Sequence, residues 1–498
     1  MSDRRFPLVI GLGTVGIACH GGISLLSKSM GSSTLGSLSD VLAFLAIYAA
    51  AFVAYMLSVR LFTSAPSERR YTVLAIALAA AMRLAAILGP PFFEDDIYRY
   101  EWDGAVTAHG MNPYRYAPSE VTLPPFDAMR KSSPDLGIAV KEMEELDRRN
   151  QIWFAHGMLS EDFARINYPD IATIYPPLAQ LAFAATHLLA PRPTLVTTTH
   201  KAVFSALDLL AVILIGATLA RLGKKPGLCA IYGLSPLAVH EISGSGHMES
   251  LVVLCLAAGL YALVRERRLL ALTSVAAAVL AKIYPIVLLP LFLRMFARSD
   301  RRRWGLGLLV VATCLVLAYL PFVGAGANLW SGSLKFAAGW EMNSGLFAVV
   351  SKVFAALLPD TALDTASIMA RSVAGAALLV WTALVLRRSV STFDDVISAA
   401  ISIVGAVFLL SPVQNPWYLT WILPLLCFDS RRSWIVLSGT ISLYYAYLWL
   451  QMGGGAAAAR AAGVTVDLGF AVIIAEYAPF AVLMILETAR HRSRNMWT

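Results

Sequence analysis

Long apolar runs separated by short polar and basic clusters make up most of this chain. Runs of about 18 residues or more recur from one end of the sequence to the other, and as a helix each can cross a hydrocarbon core of about 30 Å. A transmembrane β-barrel would instead show alternating segments of roughly ten residues, which the sequence lacks. The pattern therefore predicts an all-α polytopic membrane protein with about 12 to 14 transmembrane helices.

Three predicted spans, at about 6–27, 39–62 and 71–90, precede the longest polar stretch. The first has basic residues before an apolar run, as a signal peptide does. We expect it to be a retained span, because the run is long and no clean small-x-small cleavage site precedes the polar residues that follow it.

The basic clusters predict how these spans are oriented. They occur at 4–5, 68–70, 224–225, 265–268, 298–303, 387–388, 431–432 and 490–494. Because Lys and Arg are enriched in cytoplasmic loops, we expect these clusters and both termini to face the cytoplasm. Residues 92–172 hold 15 of the 32 acidic residues and only 8 of the 40 basic ones, and they are expected on the opposite side. Two shorter apolar pieces, 174–190 and 345–358, are expected to be re-entrant or interfacial.

This pattern divides the chain into three predicted regions. Residues 1–91 are N-terminal transmembrane helices, 92–172 are an extracytoplasmic loop with short amphipathic helices, and 173–498 are a multi-span module. The composition, with 58% hydrophobic and 14% charged residues and a mean hydropathy of +0.65, excludes an ordinary soluble domain.

Charge and cysteine content exclude two other classes of protein. The net charge of +8 needs no nucleic-acid partner, because the basic residues lie in the short clusters that orient spans. The five cysteines are scattered singly in or beside apolar segments, without CxxC or CxxH spacing. They predict neither a metal site nor a disulfide framework.

The polar loop after the third predicted span carries the densest charge in the sequence. Glu94, Asp95 and Asp96 directly follow Pro90-Pro91, which should end the span at the membrane surface. Aromatic and polar residues then follow closely, namely Tyr98, Arg99, Tyr100, Asp103, Asn112 and Tyr114. Aromatic rings beside carboxylates are typical of a sugar site; the alternative is a solvated acidic loop.

Further polar and aromatic groups are predicted near the same membrane face. They are Tyr175 before Pro176-Pro177, His247 and Glu249 in SPLAVHEISGSGHMES, Lys335, Asn343, and Trp417-Tyr418. The spacing of the His and Glu residues around His247 matches no standard zinc motif, so a metal site is not favoured. A plain turn at 174–177 and ordinary interfacial anchoring of Trp and Tyr are the alternatives.

Lys282 is a lone cation in the apolar stretch AVLAKIYPIVLLPLF. An unpaired ammonium in lipid costs at least about 2.5 kcal/mol on insertion scales. Lys282 is therefore expected either to face a polar cavity or an anion such as a phosphate, or to snorkel to the interface.

An ordered set of motifs resembles a known superfamily. EDDIYRYEWDG, GMNPYRYAP, NYPDIATIYPPLAQ, SPLAVHEISGSGHMES, AKIYPIVLLP and SPVQNPWYLTWILP occur in that order. They resemble bacterial polyprenol-phosphate-sugar-dependent glycosyltransferases of the GT-C superfamily, above all the phosphatidylinositol-mannoside type and more distantly the GPI mannosyltransferases. The resemblance covers about 92–425. Two departures are the two additional spans before the first motif and an acidic triplet in place of a simple DxD.

The resemblance implies an enzyme of the bacterial inner membrane with a GT-C-like helix bundle and a periplasmic active site. Its donor would be a sugar, most often mannose, on a polyprenyl phosphate, and its acceptor a glycolipid or glycan. The catalytic base maps onto Asp95 or Asp96, either of which would take the proton of an acceptor hydroxyl. Lys282, His247 or Lys335 would stabilise the leaving phosphate. The remaining polar and aromatic residues, from Glu94 to Tyr418, would bind sugar or acceptor. No metal is expected to be obligatory, although the three acids could hold a divalent ion.

Two other functions remain open from the sequence. A transporter or flippase for lipid-linked sugars would place its site near the bilayer midplane, and only Lys282-Ile283-Tyr284-Pro285 favours that. A lipid-linked-sugar polymerase would share the many spans, the large outer loop and the substrate.

Overall fold

The structure is a computed structural model that describes residues 3–30, 36–122, 165–297, 300–358, 363–453, 455, 457 and 467–495. The regular structure of these residues is helical, and they contain no strand, only one isolated bridge between Met342 and Val413. The predicted fold class, an all-α polytopic membrane protein, is confirmed. The middle of the predicted outer loop, 123–164, lies outside the described residues.

The main helices follow the apolar runs. They are α1 (Arg5–Ser29), α2 (Leu38–Ser64), α3 (Arg69–Ile87), α4 (Asp96–Ala108), α5 (Pro177–Leu189), α6 (Val196–Arg221), α7 (Glu249–Val264), α8 (Arg268–Ala281), α9 (Leu289–Ala297), α10 (Arg301–Tyr319), α11 (Asn328–Gly339), α12 (Gly345–Leu357), α13 (Leu363–Arg387), α14 (Phe393–Leu410), α15 (Arg432–Thr440), α16 (Tyr444–Met452) and α17 (Leu468–Asn495).

Eight helices among the described residues are long and apolar enough to cross a membrane, and five apolar helices are shorter. Two predicted spans are broken where proline removes a backbone donor, at Pro236 and Pro285. The two pieces expected to be short form α5 and α12, each of 13 residues. At 1.5 Å per residue each is about 20 Å long, which is less than the hydrocarbon core.

The first three helices pack together and end beside the outer-loop motif. α3 ends at Ile87, just before the Pro90-Pro91 pair, as the sequence predicts. Ser24 and Ser27 on α1 donate hydrogen bonds to the carbonyls of Ala85 and Pro90. Because these bonds tie α1 to the chain at the end of α3, they fix the point from which the acidic loop starts.

A buried ion pair joins α3 to α6. Arg83 donates from Nε to Asp208 at 2.8 Å and from Nη1 to the carbonyls of Ala79 and Gly233 at 2.9 and 2.8 Å. Its Nη2 also bonds Asp208, whose other oxygen accepts from the hydroxyl of Tyr232. Each polar group of this pair therefore has a partner, as buried charges require.

The broken spans bring polar groups to one end of the helix bundle. A π-helical turn at Val239–Gly244 precedes α7 and carries Glu241. Lys282 follows α8 with extended backbone and pairs with Glu249, the first residue of α7. The ammonium of Lys282 is thus at a helix end beside a carboxylate, and it is not isolated in an apolar span as its sequence context suggests.

Candidate active site

A cavity of about 420 Å³ lies where α4, the segment 167–175, α11, the segment 415–418 and α16 meet. Its polar lining residues are Glu94, Asp95, Asp96, Arg99, Asn167 and Asn415, of which the three acids are called the acidic wall below. The rest of the lining is aromatic or apolar, with Phe93, Tyr168, Ile171, Ala172, Ile174, Tyr175, Phe336, Trp340, Met342, Trp417, Tyr418, Tyr444, Leu448 and Met452. A molecule with both a polar and an apolar part matches such a mixed lining.

The acidic wall is set by the start of α4. Asp95 is the N-cap and Asp96 the first residue of this helix, so both side chains lie at its positive end, which favours carboxylates. Asn167 donates from one amide nitrogen to Asp95 Oδ1 at 2.9 Å and to Asp96 Oδ1 at 2.5 Å. The two carboxylates therefore share one hydrogen-bond donor, and the charge of Asp96 raises the pKa of Asp95.

Strained backbone surrounds this wall. Phe93, Tyr168 and Asn343 have φ of +56°, +48° and +50°, a region that favours glycine. Phe93 and Tyr168 line the cavity, and Asn343 follows Met342, which lines it as well. Such strain costs of order 1–3 kcal/mol per residue and is concentrated at functional sites, which supports a functional cavity.

Burial raises the pKa of all three acids. For Asp95, burial and then the charge of Asp96 raise the pKa to about 7, while Asn167 opposes the shift. For Asp96, burial raises the pKa, and Asn167 and Lys282 counteract it. Burial, followed by the charge of Asp96, raises the pKa of Glu94 well above its usual range. Asp96 therefore has more groups that favour its ionised form than Asp95 has.

His247 lies behind the acidic wall between two carboxylates. Its Nδ1 is 3.8 Å from Asp96 Oδ2, and its Nε2 is 3.6 Å from Glu241 Oε2. Its ring stacks on that of Trp417, with centroids 3.9 Å apart and planes 17° from parallel. The imidazole thus supports an aromatic ring that lines the cavity.

The candidate phosphate-binding cations are placed differently from one another. Lys282 pairs with Glu249 and lies 4.2 Å from the ring centroid of Tyr418, behind the cavity. Lys335 is exposed on α11 and does not line the cavity. Arg99, named above for sugar or acceptor binding, is the one cation among the described cavity-lining residues.

Arg99 is held on two sides and has one guanidinium nitrogen without a partner. Its Nε donates to Asp103 at 3.0 Å and its Nη1 to the carbonyl of Ile171 at 2.9 Å. Its Nη2 is buried and makes no hydrogen bond within the described residues. Asp103 also accepts from Gln180 and does not line the cavity, so its contacts are those of a residue that positions Arg99.

Several other predicted residues pack around the cavity without lining it. Tyr100 is stacked on Phe183 and reaches Asp96 and His247 with its hydroxyl, at 3.4 Å from each. The remaining contacts are hydrogen bonds: Tyr98 accepts from Arg165, Asn112 donates to the Phe322 carbonyl, Tyr114 donates to the Tyr175 carbonyl, and Asn343 donates to Glu476. The structure brings Glu94, Asp95, Asp96, Arg99, Tyr175, Trp417 and Tyr418 into the cavity lining.

The sequence singled out the stretches that contain Asn167, Tyr168, Glu241 and Trp340 but gave these residues no specific role, and it did not single out Tyr444. Asn167 is part of NYPD, which as a sequence reads as a turn. The sequence feature that could have pointed to Asn167 is the neighbouring Tyr168-Pro169, because a proline restricts the backbone close to this polar residue. Within the described residues, no group of three or more His, Cys, Asp or Glu side chains is arranged to hold a metal ion.

Comparison with known proteins supports one class of enzyme. Residues 173–412 match the family model of glycosyltransferase family 87. No curated protein and no solved structure matches the chain. The match covers 240 of the 498 residues and, in a protein with many apolar helices, supports a membrane glycosyltransferase.

Proposed function

We propose that this protein transfers a sugar, with mannose as the first candidate, from a polyprenyl phosphate to a hydroxyl of a glycolipid or glycan. The observation that carries the proposal is the cavity, whose lining combines a carboxylate pair with aromatic and apolar side chains. A lipid-linked sugar likewise combines a polar part, the phosphosugar, with an apolar chain. The family match to residues 173–412 supports the transferase class.

Asp96 is the better candidate for the base. The acceptor O–H bond breaks as a carboxylate oxygen takes its proton, and the acceptor oxygen forms a bond to the anomeric carbon. The bond from that carbon to the phosphate oxygen breaks, and its electron pair leaves with the polyprenyl phosphate. Only an ionised carboxylate can accept the proton, and Asn167, Lys282 and Arg99 all favour ionisation of Asp96.

The leaving phosphate needs a cation. Lys282 and His247 lie behind the cavity, and Arg99 lines it with one nitrogen that bonds no described residue, so we add Arg99 to the candidates. Lys335, which is exposed outside the cavity lining, could act only if α11 moves. A fixed cation beside the developing phosphate charge lowers the barrier, because it requires no reorganisation during the reaction.

We propose that the cavity faces the periplasm of a bacterial inner membrane, with both termini in the cytoplasm. The support is the distribution of basic clusters together with the position of the acidic loop after three helices. No obligatory metal is proposed, since a base occupied by a metal could not accept the proton.

The test is transfer of radiolabelled mannose from synthetic polyprenyl-phosphate mannose to membrane lipid extract. Wild type, Asp95→Asn and Asp96→Asn are compared, with Asp170→Asn as an exposed control that does not line the cavity. We expect transfer by wild type and the control, and donor binding without transfer by Asp96→Asn.

The products distinguish the other functions. Addition of single sugars supports the proposal, whereas chains of repeating sugars would favour the polymerase. Movement of labelled donor across vesicles without a new glycosidic bond would favour the transporter. Absence of transfer with any polyprenyl-phosphate sugar, or equal transfer by both acidic variants, would overturn the proposed mechanism.

A further inference from the structure

Asn167 makes a contact that the proposed chemistry leaves unexplained. Its side-chain nitrogen donates to Asp95 and Asp96 at once, across 72 and 71 residues of sequence. The two hydrogens of one amide nitrogen are thereby both used on carboxylates. An amide donor stabilises the ionised form of each acid and holds both acids in one position.

The backbone beside Asn167 is held in place. Tyr168 has a left-handed φ of +48°, and its carbonyl accepts from the Ile171 amide at 3.1 Å. The carbonyl of Pro169 accepts from the Ser119 amide at 2.9 Å, and the Tyr168 ring packs edge-on against Trp340. These contacts set the direction of the Asn167 side chain, which is a form of pre-organisation.

The surroundings of the pair are mostly acidic or phenolic. The titratable and charged groups around it are Glu94, Arg99, Tyr100, Tyr168, Tyr175, Glu241, His247, Glu249, Lys282, Tyr418 and Tyr444. Two adjacent buried carboxylates resist ionising together because like charges repel. Asn167 is the neutral donor that opposes this repulsion for both acids.

We infer that Asn167 is a positioning residue that keeps one carboxylate of the Asp95–Asp96 pair ionised to receive the acceptor proton. The inference rests on the proposed function and adds to it a group that sets the pH range of the reaction. Asn167 itself takes no proton, and its effect reaches the substrate through the two acids.

The pH dependence follows from this arrangement. The base works when ionised, so transfer falls as the pH is lowered through the apparent pKa of the pair. Without the amide donor the ionised form is less stable, so this fall occurs at higher pH. Asn167→Ala should move the acidic limb of kcat/KM upward by about one pH unit. Asn167→Asp, which replaces the donor with a third carboxylate, should move it further.

Two variants control for a general structural effect. Asn328→Ala removes an exposed amide at the start of α11 that donates to the Arg115 carbonyl, and it should leave the acidic limb unchanged. Asn167→Gln keeps an amide donor, so its acidic limb should lie closer to that of the wild type than the limb of Asn167→Ala does. A wild-type limb in both Asn167→Ala and Asn167→Asp, at whatever rate, would overturn the inference.

A second readout does not require transfer. Infrared difference spectra during pH titration report protonated carboxyl groups, and Asp95→Asn and Asp96→Asn identify the bands of the pair. We expect Asn167→Ala to raise the midpoint of these bands, and an unchanged midpoint would refute the inference. If wild type transfers no sugar but the midpoint still moves, the proposed function fails while the coupling between Asn167 and the pair stands.

Discussion

Two clusters of buried charge in this protein differ in how completely they are hydrogen-bonded. In the cluster of Arg83 and Asp208, both side chains have all their charged atoms paired. In the cluster in and behind the cavity wall, one carboxylate oxygen each of Glu94, Glu241 and Glu249 and one nitrogen of His247 are buried and make no hydrogen bond with a described residue.

The difference separates a structural role from a functional one. Unpaired buried polar atoms each cost about 1–3 kcal/mol, so a protein retains several together only where something else requires them. A fully paired ion pair between two spans holds helices in register and offers nothing to a ligand. We therefore expect substitutions in the cavity cluster to impair transfer, and substitutions in the Arg83 cluster to impair folding.

The largest expected effect is that of Asp96→Asn on transfer. Loss of a general base costs roughly 10²–10⁴-fold in rate. Stability should not fall, because the substitution removes a charge from a crowded acidic wall. Transfer assays and thermal unfolding of the same preparation check both parts. If Asp96→Asn lost stability and transfer in parallel, Asp96 would have a structural role, and the expected difference between the two charge clusters would be contradicted.

The next effect is that of Asp208→Ala on stability. The substitution leaves the Arg83 guanidinium buried without its carboxylate, which costs about 3–5 kcal/mol. Unfolding in detergent or bicelles measures this loss. The double variant Arg83→Met with Asp208→Leu should recover much of the stability, since no unpaired charge remains. Normal stability with abolished transfer in Asp208→Ala would instead make this cluster functional.

A smaller effect is expected from Trp417→Ala. The ring lines the cavity and is supported by His247 at a centroid distance of 3.9 Å. Loss of an aromatic contact of about 1 kcal/mol should raise the dissociation constant of the sugar substrate roughly fivefold. Trp417→Phe keeps a ring and should retain most of the affinity. Equal weakening by both variants would argue against stacking.

The last prediction tests the wall formed by α11. A Cβ at Gly332 would overlap the carbonyl oxygen of Ala172, in the segment that carries cavity residues. Gly332→Ala should therefore displace α11 and cost about 1–3 kcal/mol, with reduced transfer. Gly339→Ala on the same helix meets no atom within 4 Å and should be neutral or slightly stabilising. If the two variants had the same stability and transfer, the close contact of Gly332 with the Ala172 carbonyl would not be needed to position α11.

Much of the fold could be predicted from hydropathy. The spans expected at about 6–27, 39–62 and 71–90 correspond to α1, α2 and α3, because the length of an apolar run is a local property of the chain. The breaks within later spans were less predictable. At Lys282 the local context is apolar, and only the packing of α7 against α8 places Glu249 beside it.

The candidate site divides in the same way. Asp95 and Asp96 could be found from the sequence, since adjacent acids after a Pro-Pro pair are a local signal, and the structure places both in the cavity. Whether either is the base stays a prediction. Asn167 could not be assigned, because its contacts with the pair span more than 70 residues and depend on strained backbone at Tyr168.

By itself, the sequence determined that this is a helical membrane protein with its charge concentrated in one loop, because insertion into a bilayer depends on apolar length and charge placement. The tertiary structure decided which charges are satisfied and which are left open. Arg83 with Asp208 and Asn167 with the acidic pair each join distant segments. Hydrogen bonding between such segments depends on distances of a few ångströms, which no local pattern encodes.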